Sequence, residues 1–233
     1  MLRASFIATN PVQGRVDAKT GSTTGPAPDL VRELARRLGV TPVITPLPDA
    51  GAVLDSVKGG RVDIAFLAVE AERASQVDFS DPYSISGAAY AVRANSPFQK
   101  STDVDRAGVT IGAISGQSPE VFVRQLVKKA RVESLPSVPP NAVMGKMLLD
   151  GKVDAFAANR TRMEEMVRDV PGLRVLADDY MVTAQAIVVP KGNAIRLAAV
   201  NRFLADVRAS GFVKTSLERA NIAGVSVAPE PKR

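Results

Sequence analysis

Short apolar segments of strand length alternate with amphipathic helical segments along nearly the whole of this 233-residue chain. In a first series, strands are predicted at 2–8, 40–45 and 62–68, and helices at 29–38 and 50–58. A second series follows, with strands predicted at 109–114, 153–158 and 185–189 and helices at 118–130, 141–150, 161–169 and 195–210. Strands that alternate with helices in this way are typical of α/β folds with largely parallel sheets.

The two series share an internal repeat. Residues 53–66 read VLDSVKGGRVDIAF, and residues 143–156 read VMGKMLLDGKVDAF. Each segment is an apolar-faced helix followed by glycine, a basic residue, Val-Asp and an apolar strand. Glycine stops and Val-Asp strand starts recur in α/β proteins generally, but two matching units favour two similar lobes over one continuous sheet. We expect apolar strands at 87–94 and 183–191 to form the hinge between the lobes.

The composition excludes several functional classes. The chain contains no His, Cys or Trp, so it lacks the commonest general base and all thiolate chemistry. We therefore expect no metal site, no catalytic residues and no cofactor. The net charge is +6, but Lys and Arg are scattered singly and aromatic residues make up only 5% of the chain. This pattern argues against a nucleic-acid partner.

No apolar run approaches the roughly 20 residues that a membrane-spanning helix needs. The chain begins Met1-Leu2-Arg3 and passes directly into a predicted strand, without the basic and apolar segments of a signal peptide. Two interpretations remain open at this point: a cytosolic protein, or a chain from which a signal peptide has been removed.

The segment Val77-Asp78-Phe79-Ser80-Asp81-Pro82-Tyr83, preceded by Glu72-Arg73, resembles the signature of polar amino acid-binding proteins of ABC transporters. Other parts of the family pattern occur in the same order along the chain, namely Gly25 with Asp29-Leu30, Gly60-Arg61-Val62-Asp63, the strand and loop from Gly112 to Gly116, Gly151-Lys152-Val153-Asp154-Ala155 and Pro190-Lys191-Gly192. The resemblance therefore covers nearly the whole chain.

This resemblance to the family 3 solute-binding proteins implies the type II periplasmic binding-protein fold, two α/β lobes joined by two strands. One lobe would comprise 1–88 and 190–233, and the other 89–189. The implied function is that of a monomeric, periplasmic or extracytoplasmic binding protein, which closes on a small anionic ligand in the inter-lobe cleft and docks on a membrane permease. The implied location favours the interpretation in which a signal peptide has been removed.

Two features are candidates for carboxylate binding. The Arg73 guanidinium offers a planar fork of donors that matches a carboxylate, and the resemblance implies that this residue holds the ligand's α-carboxylate. The loop Ser115-Gly116-Gln117-Ser118 precedes a helix for which Ser118 is the predicted N-cap and Pro119 the first residue. Free backbone N–H groups are expected in this loop, and Gln117 and Ser118 would add side-chain hydrogen bonds.

Other positions depart from the family. Asn159 replaces the aspartate that pairs with the ligand's ammonium group, and Phe66 and Ala68 replace a glycine and a hydrogen-bonding threonine. Asn10 and Ala50 stand where aromatic rings commonly enclose the ligand. These departures predict an organic anion without a free α-amino group. The candidate ligand-binding residues are Arg73, Ser118, Gln117, Asn159, Phe66, Ala68, Asn10, Ser115, Glu70 and Gln185.

Three alternatives stay open. Glu70 or Asp179 could bind an ammonium group by another geometry, which keeps amino acids among the possible ligands. An enzyme of the same fold, similar to cyclohexadienyl dehydratase, would need a carboxylic acid, for which Glu70 and Glu120 are the candidates. The same clamp also occurs as the ligand-sensing domain of receptors, so the chain could be an excised domain.

Overall fold

The computed structural model describes residues 1–222 and 224–230. Its strands are β1 (Leu2–Ile7), β2 (Arg15–Val16), β3 (Thr23–Thr24), β4 (Pro42–Leu47), β5 (Ile64–Ala68), β6 (Val77–Arg93), β7 (Thr110–Ile114), β8 (Arg131–Leu135), β9 (Ala155–Asn159), β10 (Leu173–Val175), β11 (Met181–Pro190) and β12 (Val225–Val227). Its helices are α1 (Pro26–Leu38), α2 (Ala50–Lys58), α3 (Ala71–Ala74), α4 (Ser118–Leu126), α5 (Asn141–Leu149), α6 (Arg160–Asp169), α7 (Ala194–Ala209) and α8 (Phe212–Ala220). Within these residues, no helix combines the length and apolar character needed to cross a membrane.

The chain divides into two compact units. The first comprises Met1–Ile85 and Ala184–Arg233, and the second comprises Ser86–Thr183. The chain passes from one unit to the other twice, within the long strands β6 and β11. The predicted lobes place both crossings a few residues later in the chain, and as functional lobes they stay a prediction.

The first unit contains a sheet in which β1 lies between β4 and β5 and runs parallel to both. β11 pairs with the other edge of β5 in the antiparallel direction. The alternation of side chains along each strand gives the sheet two apolar faces. One face packs against α1, α7 and α8 around Phe6 and Phe66, and the other packs against α2 around Val53 and Leu67.

The second unit repeats this strand order. β7 lies between β8 and β9, parallel to both, and β6 pairs antiparallel with the other edge of β9. Side chains of α4 contribute to one core cluster, with Val123, and those of α5 and α6 to another, with Met144 and Met163. The predicted α/β class with mostly parallel sheets is confirmed, and the repeated sequence segment forms α2–β5 in one unit and α5–β9 in the other.

The helix predicted at 118–130 is shorter than expected. α4 ends at Leu126, and the next residue, Val127, is extended. The Asp105 carboxylate accepts hydrogen bonds from the backbone N–H groups of Lys128, Lys129 and Ala130 at 2.7–3.0 Å. Because these donors are bound by a residue more than 20 positions away in the sequence, they are not available to continue the helix, and β8 follows instead.

The end of the chain contains more structure than its sequence suggested. A frayed tail is predicted after about Ile222, but β12 pairs with β6, and the Ala228 N–H donates to the Tyr83 carbonyl at 3.2 Å. The prediction is wrong for these residues because a three-residue strand has almost no periodicity of its own. Its last part, residues 231–233, lies outside the described residues. Strands β8 and β10 and helices α3 and α8 were also not predicted.

Candidate functional site

Arg73 lies on the short helix α3, three residues after the N-cap residue Glu70. Its side chain is only 9% exposed. The Arg73 Nε lies 3.3 Å from Glu70 Oε2, and Nη1 donates to the Ala68 carbonyl at 3.3 Å. Burial lowers the pKa of the Arg73 guanidinium, while the charges of Glu70 and Glu72 act in the opposite direction. An arginine remains protonated in such a site, so the end of β5 carries a buried, oriented cation.

The Glu70 carboxylate does not cap the helix that it precedes. One of its oxygens, Oε2, pairs with Arg73, whereas the other, Oε1, is buried and has no hydrogen-bond partner within the part of the chain that the structure describes. Buried polar groups are nearly always hydrogen-bonded in folded proteins, and each exception needs an explanation, such as a functional role or an ordered water or ion. Glu70 is therefore of functional interest in its own right.

The candidate residue Asn10 lies in a hydrogen-bonded turn after β1. Asn10 Oδ1 accepts from the Val12 N–H at 3.1 Å. Gln13, which sequence reasoning missed, binds the Ile7 N–H through Oε1 at 2.9 Å and donates through Nε2 to Gln185 Oε1 at 3.2 Å. Both glutamines are fully buried, so the Gln185 carbonyl oxygen is bound by Gln13 and has a structural partner.

Phe66 and Ala50 lie in core clusters, whereas the sequence analysis placed both positions near the ligand. The Phe66 ring is fully buried in the first unit's core and meets Tyr83 edge-on, with ring centroids 5.8 Å apart. Its side chain points to the sheet face covered by α1 and α7, because residues of β5 alternate between the two faces. Phe66 is therefore a core residue, and Ala50 also packs in a core cluster. Ala68 contributes its carbonyl to Arg73.

In the second unit, the loop 115–118 follows β7. The Ser115 N–H donates to the Leu135 carbonyl at 2.9 Å, and the Gln117 N–H donates to the Ile114 carbonyl at 3.2 Å. The N-cap of α4 is Gln117, and Ser118 is the first helical residue, which corrects the predicted assignment by one position.

The Gly116 N–H is also used, because it hydrogen-bonds the Glu120 carboxylate. The prediction of several free N–H groups in this loop is therefore wrong. No partner for the N–H or hydroxyl of Ser118 or for the side-chain amide of Gln117 occurs among residues 1–222 and 224–230.

Glu120 is held in a network of its own. Its carboxylate accepts hydrogen bonds from Arg124 Nε and, at 2.6 Å, from Ser134 Oγ. Burial alone would raise the pKa of the Glu120 carboxyl, but the hydrogen bonds from Arg124, Ser134 and the Gly116 N–H keep it below its ordinary value of 4.5. The group is thus ionised at neutral pH and organises the loop.

Asn159 is the last residue of β9 and the N-cap of α6, and it is buried. The next residue, Arg160, escaped sequence analysis. Its Nε donates to Asp179 Oδ1 at 2.7 Å, and its Nη2 donates to the carbonyls of Leu176 and Ala177, both at 3.2 Å. Asp179 is therefore already paired with a cation within its own unit.

The candidates occupy matching positions in the two units. In the first unit Asn10 follows β1 and Arg73 follows β5; in the second unit the loop 115–118 follows β7 and Asn159 ends β9. These are the carboxyl ends of parallel strands, where ligands bind in open α/β sheets. Gln13 and Arg160 also follow these strands. This position is the signal that could have identified them.

These features define an α/β protein of two units with the same strand order and with polar groups at the carboxyl ends of the strands. The model of the bacterial extracellular solute-binding proteins, family 3, matches residues 3–220. The chain belongs to this family, and the resemblance noted in the sequence is confirmed.

Two curated proteins and one solved structure are similar to this chain. The chain is 27% identical to the L-cystine-binding protein TcyJ of Escherichia coli over 202 residues, which cover 85% of this chain and 74% of the relative. It is 26% identical to the cyclohexadienyl dehydratase of Pseudomonas aeruginosa over 196 residues, which cover 82% and 71%. A binding component of an ABC transporter from Wolinella succinogenes, complexed with lysine, matches with a TM-score of 0.81, 23% identity and 94% coverage of both chains.

Proposed function

We propose that this chain is the extracytoplasmic solute-binding component of an ABC importer and that it binds a small carboxylate without a free α-amino group. The observation that carries the proposal is the buried Arg73 guanidinium, oriented by Glu70 and the Ala68 carbonyl. A buried cation at the end of β5 provides the charge-assisted, bidentate contact that a carboxylate needs.

In this proposal the ligand takes contacts from both lobes. Arg73 binds its carboxylate from the first lobe, while the Ser118 N–H and hydroxyl and the Gln117 amide donate to it from the second. Since only a closed state makes both sets of contacts, ligand binding shifts the protein toward that state. A membrane permease would then recognise the closed protein.

The exclusion of an α-ammonium group rests on Asn159 and Asp179. Asn159 is an amide in the place where the family has an aspartate, and an amide does not neutralise a cation. The Asp179 carboxylate pairs with Arg160 at 2.7 Å, so it is not available to replace the missing aspartate. An ammonium group buried without a carboxylate partner loses several kcal/mol of hydration free energy, which disfavours amino acids.

A dehydratase is the second candidate function, because one relative is a cyclohexadienyl dehydratase. Such an enzyme would need a proton donor at the site. The pKa of Glu120 is lowered and its carboxylate is paired with Arg124. Glu120 is therefore ionised at neutral pH, whereas a general acid must carry a proton to donate. Glu70 is paired with Arg73. We therefore favour binding without turnover.

The proposal is tested by thermal-shift screening, followed by calorimetry, with amino acids and with their keto, hydroxy and simple acid analogues. A ligand at 100 times its dissociation constant stabilises the folded state by about 2.7 kcal/mol, so a true ligand is readily visible. We expect shifts with acids and none with amino acids. A preference for amino acids would contradict the ligand class, and conversion of a bound acid, followed by NMR, would contradict the non-enzymatic function.

A further inference from the structure

The Glu70 carboxylate has a position that the sequence pattern does not explain. It precedes α3 at the N-cap position, where a short Ser, Thr, Asp or Asn side chain would bind the first backbone N–H groups of the helix. The longer Glu70 side chain makes no such capping bond. It turns instead toward Arg73, which lies 3.3 Å from Oε2.

In this arrangement one oxygen of the Glu70 carboxylate contacts Arg73, and the other accepts no hydrogen bond from it. Glu70 Oε1 is enclosed by protein and accepts no hydrogen bond from any residue within 1–222 or 224–230. An ionised carboxylate only accepts hydrogen bonds, and leaving a buried acceptor unsatisfied destabilises the folded protein. Glu70 lies three positions before Arg73, the proposed carboxylate-binding residue, and the two side chains are in contact.

We infer that Glu70 Oε1 accepts a hydrogen bond from a hydroxyl group of the ligand when ligand binding displaces the protein atoms that cover this oxygen, and that the ligand class is therefore a 2-hydroxycarboxylic acid. This inference rests on the proposed function, in which Arg73 holds the ligand's carboxylate. In a 2-hydroxy acid the hydroxyl is on the carbon that bears the carboxylate, so adjacent acceptor and cation match the two groups.

The chemistry of the pair distinguishes related ligands. A 2-keto acid would place an acceptor oxygen against an acceptor oxygen, and a site built to bind a hydroxyl discriminates strongly against analogues that lack it. A second carboxylate at this point would be repelled by Glu70. An amino acid also offers donors, but the Glu70 charge is already balanced by Arg73, and Asn159 adds no second negative charge for an ammonium group.

The experiment uses calorimetry with the intact chain and matched triplets of one carbon skeleton: lactate, pyruvate and alanine; 2-hydroxyglutarate, 2-oxoglutarate and glutamate; phenyllactate, phenylpyruvate and phenylalanine. We expect the best-bound triplet to show a Kd for the hydroxy acid about tenfold or more below that of the keto acid, as a hydrogen bond to a charged group implies. The Glu70→Gln variant should bring the two Kd values close together.

Glu72→Gln is the matched control. It removes the same charge two residues further along the chain, from an exposed side chain on α3. The Glu72 charge also acts on Arg73. The hydroxy-to-keto ratio should survive in Glu72→Gln and fall in Glu70→Gln. If both acids bind the wild-type protein equally, or if Glu72→Gln lowers the ratio as much as Glu70→Gln, the inference about Glu70 is overturned and the carboxylate-binding function stands.

Two other outcomes overturn the proposed function together with this inference. One is tightest binding of the amino acid in every triplet. The other is the absence of binding by all nine compounds in protein that circular dichroism shows to be folded. The failure of the Glu70 contact alone is thus distinguishable from the failure of the ligand class.

Discussion

Asp154 and Thr110 exchange two hydrogen bonds: the Asp154 carboxylate accepts from the Thr110 N–H at 3.0 Å, and the Asp154 N–H donates to the Thr110 carbonyl at 2.8 Å. Asp63 and Arg3 repeat the arrangement at 2.9 Å and 2.8 Å. In each unit the aspartate of the repeated Val-Asp thus joins the segment before one strand, β5 or β9, to the neighbouring parallel strand, β1 or β7. The repeated motif is structural and lies at the opposite ends of these strands from the candidate site.

Removal of this link should destabilise the second unit. We expect Asp154→Ala to lower the free energy of unfolding by about 1–3 kcal/mol, since it leaves the Thr110 N–H without its acceptor. Asp154→Asn retains an acceptor oxygen and should cost less. Urea denaturation measures both, and Asp150→Ala serves as the control because the Asp150 carboxylate pairs with Lys146 on the protein surface. Equal losses for Asp150→Ala and Asp154→Ala would refute the structural assignment.

The corresponding Asp63 link should make stability depend on pH. Hydrogen bonding by Arg3 lowers the pKa of the Asp63 carboxyl below its ordinary value of 3.8. Because the folded-state pKa is the lower one, the contribution is complete above pH of about 4 and is lost as the pH falls through the folded-state pKa. Thermal denaturation between pH 6 and pH 2 should show a gap between wild type and Asp63→Asn that narrows with acidification. A constant gap would contradict the linkage.

The Asp179 carboxylate occupies the space that a side chain at position 87 would need. A Cβ atom at Gly87 would lie 2.1 Å from Asp179 Oδ2, so Gly87→Ala must displace the carboxylate and disturb its pair with Arg160. We expect a loss of about 1–3 kcal/mol, typical of overpacking. In an Asp179→Ala background the same substitution should cost clearly less, and a double-mutant cycle by urea denaturation measures the difference. Additive effects would show that the two residues do not interact.

The role proposed for Arg73 can be separated from general stability with Arg208. The two arginine side chains are similarly buried, 9% and 10% exposed, and each pairs with a carboxylate, Glu70 or Asp81. We expect Arg73→Ala to weaken binding of the best acid ligand by about thirtyfold or more, because a buried charge-assisted contact is lost. Arg208→Ala should destabilise the protein but leave affinity nearly unchanged. The measurement is calorimetry, and similar losses of affinity in both variants would remove Arg73 from the site.

Asn159→Asp should change the ligand class. The substitution adds a carboxylate at the place where the family has one, and this charge would pair with an α-ammonium group while repelling an acid. We expect weaker binding of the acid and a gain in binding of the corresponding amino acid, each by about tenfold or more. Paired titrations of both compounds measure the exchange, with Asn95→Asp, at an exposed position of the same unit, as the control. An unchanged preference would mean that Asn159 does not contact the ligand's α-substituent.

Much of the fold was predictable because its signals are local. The limits of α2 were predicted to the residue, and α5 and α7 to within a residue at each end, since glycine or serine ends each apolar-faced segment. Strand β8 and the early end of α4 were not predictable in this way. They depend on Asp105, which binds N–H groups more than 20 residues further along the chain.

The candidate site was predictable only in outline. The positions of Arg73 and Asn159 followed from the family motif; Asn159 ends β9 and Arg73 lies on α3, the helix after β5, and their role in ligand binding stays a prediction. Phe66 was named as a ligand contact because the family has a glycine at this position, but its side chain packs in the core of the first unit. Gln13 and Arg160 were missed because their partners, Gln185 and Asp179, are distant in sequence.

The sequence by itself determined the α/β class, the repeated strand order and the family, because periodicity, glycine stops and motif order are properties of neighbouring residues. Only the tertiary structure decided which polar groups remain available at the site. It showed that Glu120 takes the Gly116 N–H, that Arg160 neutralises Asp179, and that Glu70 keeps one buried oxygen without a partner among the described residues. The physical reason is that hydrogen bonds and ion pairs are satisfied between residues that only the fold brings together.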